Sequence, residues 1–167
     1  MSIQKGRVVR LKTLDLSRAR QDSGSIAKAM EVADFEGVKK YIQEHLGQAG
    51  IGIGKEGIIT LVCNDHLVKV KFVGNANEFF IPTILLELTG RVIGQRFTLH
   101  HKLGVHEIPG TFAPVGTHVE FAGAIIEDVG GGVLGIMNCF SILDGEYKGK
   151  TLRFAPGSSA EWSLKEG

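Results

Sequence analysis

The chain has 167 residues, 43% of them hydrophobic and 22% charged, with a formal net charge of +1 and two cysteines. This composition excludes a wholly disordered chain, a disulfide-rich secreted scaffold and a strongly basic nucleic-acid binder. Because the sequence has neither a signal-peptide pattern nor an apolar run long enough to cross a membrane, we expect one cytoplasmic domain over 1–167, without nucleic acid or a membrane as a partner.

The first 24 residues are interpreted as a basic N-terminal arm or a first strand. Residues 7–14 show a weak alternation of apolar and polar side chains. Six basic residues occur within the first 24 positions: Lys5, Arg7, Arg10, Lys12, Arg18 and Arg20. A helical pattern follows over 25–46, where apolar residues recur at spacings of three and four, and Gly47 provides a stop. We predict one bent helix or two short helices in series.

After the helix the pattern changes to a period of two, which predicts strands at 58–63 and 66–73 around an Asn64-Asp65 turn. Residues 79–88 are compatible with a short buried helix after Pro82 or with a strand, and 92–100 with a strand. A loop over 102–116 precedes a predicted meander of three strands at 118–127, 133–143 and 147–154. Residues 155–167 are interpreted as a tail that Trp162 docks.

Glycine is about twice as frequent as in an average protein, with 23 residues placed at turns and inside strands. Glycine inside a strand marks a bulge, a tight bend or a close backbone approach. We therefore predict an α+β fold that is mainly antiparallel β. It would be a curved antiparallel sheet or a small β-barrel, with one N-terminal helical segment packed on it.

Histidines form the one cluster of titratable residues in the sequence, with four of the six at positions 100, 101, 106 and 118. On a strand, His118 and Glu120 project to the same face, where a carboxylate can orient an imidazole for acid–base work. The candidate catalytic residues are therefore His118, Glu120, His100 and His106. A metal site and a plain exposed loop remain alternatives, but no metal-ligand spacing is present, so no metal ligands are assigned.

The strand at 133–143 is apolar on both faces, which indicates that other structure packs against each face. Asn138 and Ser141 interrupt it, and a few polar groups among apolar walls are typical of a ligand pocket. Together with Met137 and Phe121 they are the candidate ligand-binding residues. The alternative is that the Asn138 amide satisfies a neighbouring backbone group.

Two further motifs are interpreted as structural. Residues 52–57 match the pattern G-x-G-x-x-G, but a helix precedes them and a strand follows, which is the reverse of a dinucleotide-binding turn. Cys63 and His66 flank a turn, yet Cys63 ends an apolar run and is expected to be buried and inert. Cys139 is expected to lie in the core.

The run from Gly110 to Glu120, with the long meander behind it, resembles the late strands of hot-dog acyl-thioester enzymes. Those enzymes also pack a helix against a curved antiparallel sheet, so the resemblance implies a hot-dog-like fold as an alternative. No catalytic residue is carried over from it. Small lipocalin-like or cyclase-like barrels fit the glycine-rich strands equally well.

Two functions follow from these patterns. The first is the binding of a small, largely apolar molecule, with His/Glu acid–base catalysis of the isomerase, cyclase, hydratase or thioesterase type if the protein is an enzyme. The second is a non-catalytic assembly protein that forms a homo-oligomer through its apolar strands. The sequence indicates no particular cofactor.

Overall fold

A computed structural model describes residues 3–17 and 35–167 of the chain. The chain divides into two compact units, Met1–Gly90 and Arg91–Gly167, which we call the first and second units. The single domain over 1–167 stays a prediction. Of the N-terminal stretch, residues 8–11 form a strand, whereas 18–24 lie outside the described residues.

The first unit contains one five-stranded antiparallel sheet in the order β4-β3-β2-β1-β5. Its elements are β1 (Val8–Leu11), α1 (Phe35–Gln48), β2 (Glu56–Asn64), β3 (Leu67–Phe72), β4 (Glu78–Pro82), a 3₁₀ helix (Thr83–Leu85) and β5 (Leu86–Thr89). The predicted hairpin around Asn64-Asp65 is confirmed as β2 and β3. Its turn is stabilised by Asn64, whose side-chain oxygen accepts a hydrogen bond from the backbone N–H of His66 at 2.8 Å.

Helix α1 confirms the predicted helical pattern over residues 35–46, and the first part of that prediction, 25–34, lies outside the described residues. Val38, Ile42 and Leu46 recur at a spacing of four and are buried in the core of the first unit. The helix contacts β4 and follows β1, so the helical segment does not come first in the fold.

Residues 79–88 combine the two structures that the sequence left open. Phe79 and Ile81 belong to β4, the 3₁₀ helix follows Pro82, and Leu86 starts β5. Phe79, Ile81, Leu85 and Leu86 are buried in the core of the first unit. Most of this apolar run is therefore occupied by intramolecular packing.

The second unit holds a five-stranded antiparallel sheet in the order β11-β10-β9-β6-β12 and a small β7-β8 ladder. Its elements are β6 (Arg96–Leu99), β7 (Leu103–Gly104), β8 (Phe112–Ala113), β9 (His118–Asp128), β10 (Leu134–Ile142), β11 (Thr151–Phe154), a 3₁₀ helix (Ser159–Ser163) and β12 (Leu164–Glu166). The predicted meander is confirmed as β9, β10 and β11, although β11 begins four residues later than expected.

Four phenylalanine rings form the centre of the second unit. Phe140 lies 5.0 Å from Phe154, 5.4 Å from Phe121 and 5.9 Å from Phe97, measured between ring centroids. Strand β10 was expected to be buried on both faces, but only one face is. Asn138, Phe140 and Ile142 are buried, whereas the residues between them are half-buried.

The C-terminal tail docks in a different way from the one expected. Trp162 is 83% exposed, so the prediction that its ring anchors the tail is wrong. Instead β12 pairs with β6, and Glu161 forms an ion pair with Arg91. Backbone pairing and a charged side chain fix the tail where a large apolar residue was the expected anchor.

The predicted α+β class with antiparallel sheets is confirmed. In the described part of the chain, each five-stranded sheet has two edge strands, so the hydrogen-bond order gives no closed barrel. The features behind the hot-dog-like alternative lie in different units: α1 is in the first, whereas the run 110–120 is in the second, whose residues form no α-helix.

Candidate functional site

The first unit contains a cleft of about 620 Å³ between the 3₁₀ helix with β5 and the hairpin of β2 and β3. Its wall is formed by core-facing residues of four strands: Val9, Ile59, Val68, Leu86 and Leu88. Strand register explains this wall, since Leu88 lies directly opposite Val9 in the β1–β5 ladder. Alternation along each strand then directs these aliphatic side chains to one side.

Four polar residues complete the rim of this cleft: Lys12, His66, Thr83 and Glu87. Thr83 is held in place twice, since its hydroxyl donates to the Asp65 carbonyl at 3.0 Å and its backbone N–H donates to the His66 carbonyl at 2.9 Å. The site is thus an apolar recess with a few polar groups at its mouth, which is the usual texture of a small-molecule pocket.

A smaller cleft of about 300 Å³ adjoins the first, because both are lined by Lys12 and Ile84. A third, of about 190 Å³, lies where α1 meets the segment after β1 and is lined by Leu14 and Ile42 among others. None of the candidate site residues inferred from the sequence lines any of these three clefts, since all of them belong to the second unit.

His118 has a carboxylate partner, but it is Asp144 and not Glu120. The His118 Nδ1 lies 2.5 Å from Asp144 Oδ2, and the His118 backbone N–H donates to Asp144 Oδ1 at 3.0 Å. The ring hydrogen bond, followed by the backbone one, holds the pKa of Asp144 below its ordinary value. Because an ionised carboxylate only accepts hydrogen bonds, Nδ1 is the donor and Nε2 is left to exchange a proton.

The other candidate catalytic residues are not joined to this pair. Glu120 Oε1 lies 3.7 Å from the Nε of Arg96 and forms an ion pair with it. His100 and His106 are exposed, and their backbone N–H groups donate to the carbonyls of Ser163 at 2.6 Å and Thr151 at 2.8 Å. Among the described residues, no three His, Cys, Asp or Glu side chains form a group that could hold a metal ion.

The candidate ligand-binding residues are divided between the core and the sheet face. Phe121 belongs to the aromatic core, and Met137 is half-buried opposite Ile125. Ser141 is half-buried opposite Glu120. Asn138 is buried and donates to Glu161 Oε1 at 3.3 Å, so its partner is a side chain and not the backbone group considered from the sequence.

Arg91 and Glu161 form a half-buried polar contact that the sequence did not reveal, because the residues are 70 positions apart. The guanidinium donates to both carboxylate oxygens of Glu161. It also lies over the rings of Phe97 and Phe140, at 5.3 and 5.7 Å from their centroids. This contact joins the aromatic core to the tail.

The two cysteines differ from their predicted environments. Cys63 was expected to be buried but is exposed, because the second half of β2 extends past its pairing with β1 and its side chains face outward. Cys139 is half-buried, and burial raises the pKa of its thiol. Arg153 lies opposite Cys139 in the β10–β11 ladder and acts to lower the pKa of this thiol, but burial is the larger cause and the net shift is upward.

The G-x-G-x-x-G motif connects α1 to β2, as its neighbours in the sequence predicted. Gly54 has a φ of +92°, and a Cβ at Gly57 would lie 2.7 Å from the Lys71 carbonyl oxygen. Gly54 is therefore favoured by backbone conformation and Gly57 by strand contact. No phosphate-binding role is needed to explain them.

Comparison with known protein families finds no family that matches this chain, and comparison with curated proteins finds no similar sequence. Within the described ranges 3–17 and 35–167, no helix is long and apolar enough to cross a membrane.

Proposed function

We propose that the protein binds a small, largely apolar molecule in the 620 Å³ cleft of the first unit. The observation that carries this proposal is the composition of the cleft, in which seven of the eleven lining residues are apolar and four are polar. Clefts of about 300–1,000 Å³ with this composition are the ones that bury drug-sized ligands. Binding is favourable because apolar ligand surface leaves water.

The test is a titration with 1-decanol, followed by calorimetry and by native mass spectrometry. Saturable one-to-one binding to the wild-type protein is expected. The variant Ile84→Trp should weaken that binding by about tenfold or more, because the indole occupies space that the ligand needs. Leu88→Trp, at another lining residue on β5, should act in the same way and guards against one variant being poorly folded.

Ile53→Trp is the matched control. Ile53 is 67% exposed and does not line the cleft, so the same substitution there should leave decanol affinity unchanged. Circular dichroism establishes that all three variants keep the wild-type fold. If the properly folded Ile84→Trp and Leu88→Trp variants bind decanol as well as wild type does, the cleft is not the binding site.

We also propose, as a second function, acid–base catalysis by His118. The supporting observation is the 2.5 Å contact with Asp144, which replaces Glu120 as the orienting carboxylate in our sequence interpretation. A carboxylate at Nδ1 fixes the orientation of the imidazole, and the other ring nitrogen can then accept or deliver a proton. The reaction could be hydrolytic, as in a thioesterase, or an isomerisation, cyclisation or hydration.

Hydrolysis of an activated aryl ester tests this second function without knowledge of the natural substrate. Replacement of His118 by Ala should lower the rate about a hundredfold, the ordinary contribution of a general acid–base group. His101→Ala is the control, because His101 is also an exposed histidine of the same unit. Equal rates in the two variants would remove His118 from the chemistry.

Homo-oligomer formation and a cytoplasmic location stay predictions. The oligomer hypothesis used the strand 133–143 and the run 79–88 as contact surfaces, and most of the latter is packed in the core of the first unit. Light scattering at micromolar concentration tests the hypothesis directly. A monomer would contradict the oligomer hypothesis and would favour ligand binding as the role of the apolar residues.

A further inference from the structure

The charges around the cleft of the first unit are not balanced. Glu87 Oε1 is 2.6 Å from the Nε of Arg10, so this rim carboxylate already has a counter-ion. Asp15, which lines the adjoining cleft, accepts a hydrogen bond from the Ser17 backbone N–H at 2.9 Å. Lys12 lines both clefts and is exposed, and its ammonium has no hydrogen bond or ion pair with any described residue. In the larger cleft, Lys12 is therefore the charged lining residue that remains available to a ligand.

A second cation lies beside the same wall. Arg7 is 4% exposed, and its Nε has no hydrogen-bond partner among the described residues. A buried donor without a partner is costly, and native proteins normally give such a group an acceptor or water. Arg7 immediately precedes β1 and comes two residues before Val9, a residue of the cleft wall, so the two residues are close in the chain.

We propose that the ligand of the cleft is an apolar molecule that ends in a carboxylate, of the fatty-acid type. This inference rests on the proposed ligand-binding function. The aliphatic wall holds the hydrocarbon part, and the Lys12 ammonium contacts the carboxylate at the rim. Arg7 does not line the cleft, but it lies two residues from Val9 in the chain and adds positive charge near the wall. A neutral apolar ligand would leave the Lys12 ammonium without an anion.

The experiment compares decanoate with 1-decanol at pH 7.5, which share a ten-carbon chain and differ in the charged end. Calorimetry on the wild-type protein should give decanoate a three- to tenfold higher affinity, the range expected of one exposed charge contact. Lys12→Met should abolish this preference by weakening decanoate binding, because the variant lacks the ammonium that contacts the carboxylate. Increasing salt should reduce the preference in the wild type, because the contact is solvent-exposed.

Lys71→Met is the matched control, since Lys71 lies on β3 of the same unit but does not line the cleft. It removes the same charge and should keep the preference for decanoate. Equal affinity of the wild-type protein for decanoate and decanol would overturn this inference and leave the proposed function intact. Absence of binding by either compound would overturn the proposed function itself.

Discussion

Both units contain a five-stranded antiparallel sheet, but the side chains that form their cores differ. The core of the first unit is mainly aliphatic and includes three side chains of α1, and beside it a cleft remains open. The core of the second unit is a cluster of phenylalanine rings, and its buried Asn138 donates a hydrogen bond to Glu161. For this reason we propose ligand binding for the unit with the 620 Å³ cleft and proton chemistry for the unit with the His118–Asp144 pair.

The largest expected effect tests whether the second unit depends on its aromatic cluster. Phe140→Ala should lower the free energy of unfolding by about 3–5 kcal/mol, because it removes a fully buried ring in contact with three others. Urea denaturation measures the loss. Phe112→Ala, at a ring that is 48% exposed, should cost less than about 1 kcal/mol and serves as the control. Equal losses would mean that the cluster does not dominate this core.

A smaller effect is expected from the charged pairs of the two units. Glu161→Gln should cost about 1–3 kcal/mol, since it leaves Arg91 half-buried without its counter-ion. Glu87→Gln removes the partner of Arg10 in the first unit, where both side chains are more than 40% exposed, and should cost about 0–1 kcal/mol. Similar costs in urea denaturation would contradict the difference in burial on which the comparison depends.

The cysteines offer a comparison of reactivity. Cys63 of the first unit is exposed, whereas burial raises the pKa of the Cys139 thiol in the second. Because the thiolate is the reactive form, Cys63 should react with a disulfide reagent at least about tenfold faster at pH 8. The variants Cys63→Ser and Cys139→Ser isolate the two rates, and a faster reaction at Cys139 would be the contrary result.

The smallest effect concerns the pH dependence of stability through Asp144. The hydrogen bonds from His118, the ring first and the backbone second, lower the pKa of this carboxyl in the folded protein. Its stabilising contribution is therefore complete above the ordinary value of 3.8 and is lost as the pH falls through the lower, folded-state pKa.

Asp144→Asn should consequently lower the thermal midpoint at pH 6 and should differ less from wild type as the pH falls below the ordinary carboxyl range. Glu146→Gln, in the same turn, is the control. A difference between Asp144→Asn and wild type that stays constant with pH would mean that the ionised carboxylate is not what stabilises this turn.

The pKa of a second carboxyl in the same unit, Glu107, is also lowered, but the order of the causes differs. Burial acts to raise the pKa of Glu107, but the hydroxyl and backbone N–H of Thr151 donate to its oxygens, and the net shift is downward. Glu107 directly follows His106, one of the candidate catalytic histidines, in the sequence. The contact with Thr151 ties this loop to β11 and explains the residue without a catalytic role.

The sequence by itself determined what depends on near neighbours in the chain. The helix after residue 35, the hairpin around Asn64-Asp65 and the meander of β9 to β11 follow from side-chain periodicity and turn residues, both of which are local. It also identified His118 as a residue with a carboxylate partner, but it selected Glu120, which strand alternation puts on the same face.

Only the tertiary structure decided which residues meet across the chain. Asp144 reaches His118 because the turn after β10 comes back to the start of β9, and Glu161 reaches Arg91 across 70 positions. The cleft likewise depends on how far β5 stands from the β2–β3 hairpin, and no pattern along one strand encodes that distance. Periodicity fixes the direction of a side chain, whereas packing between distant segments fixes what it faces.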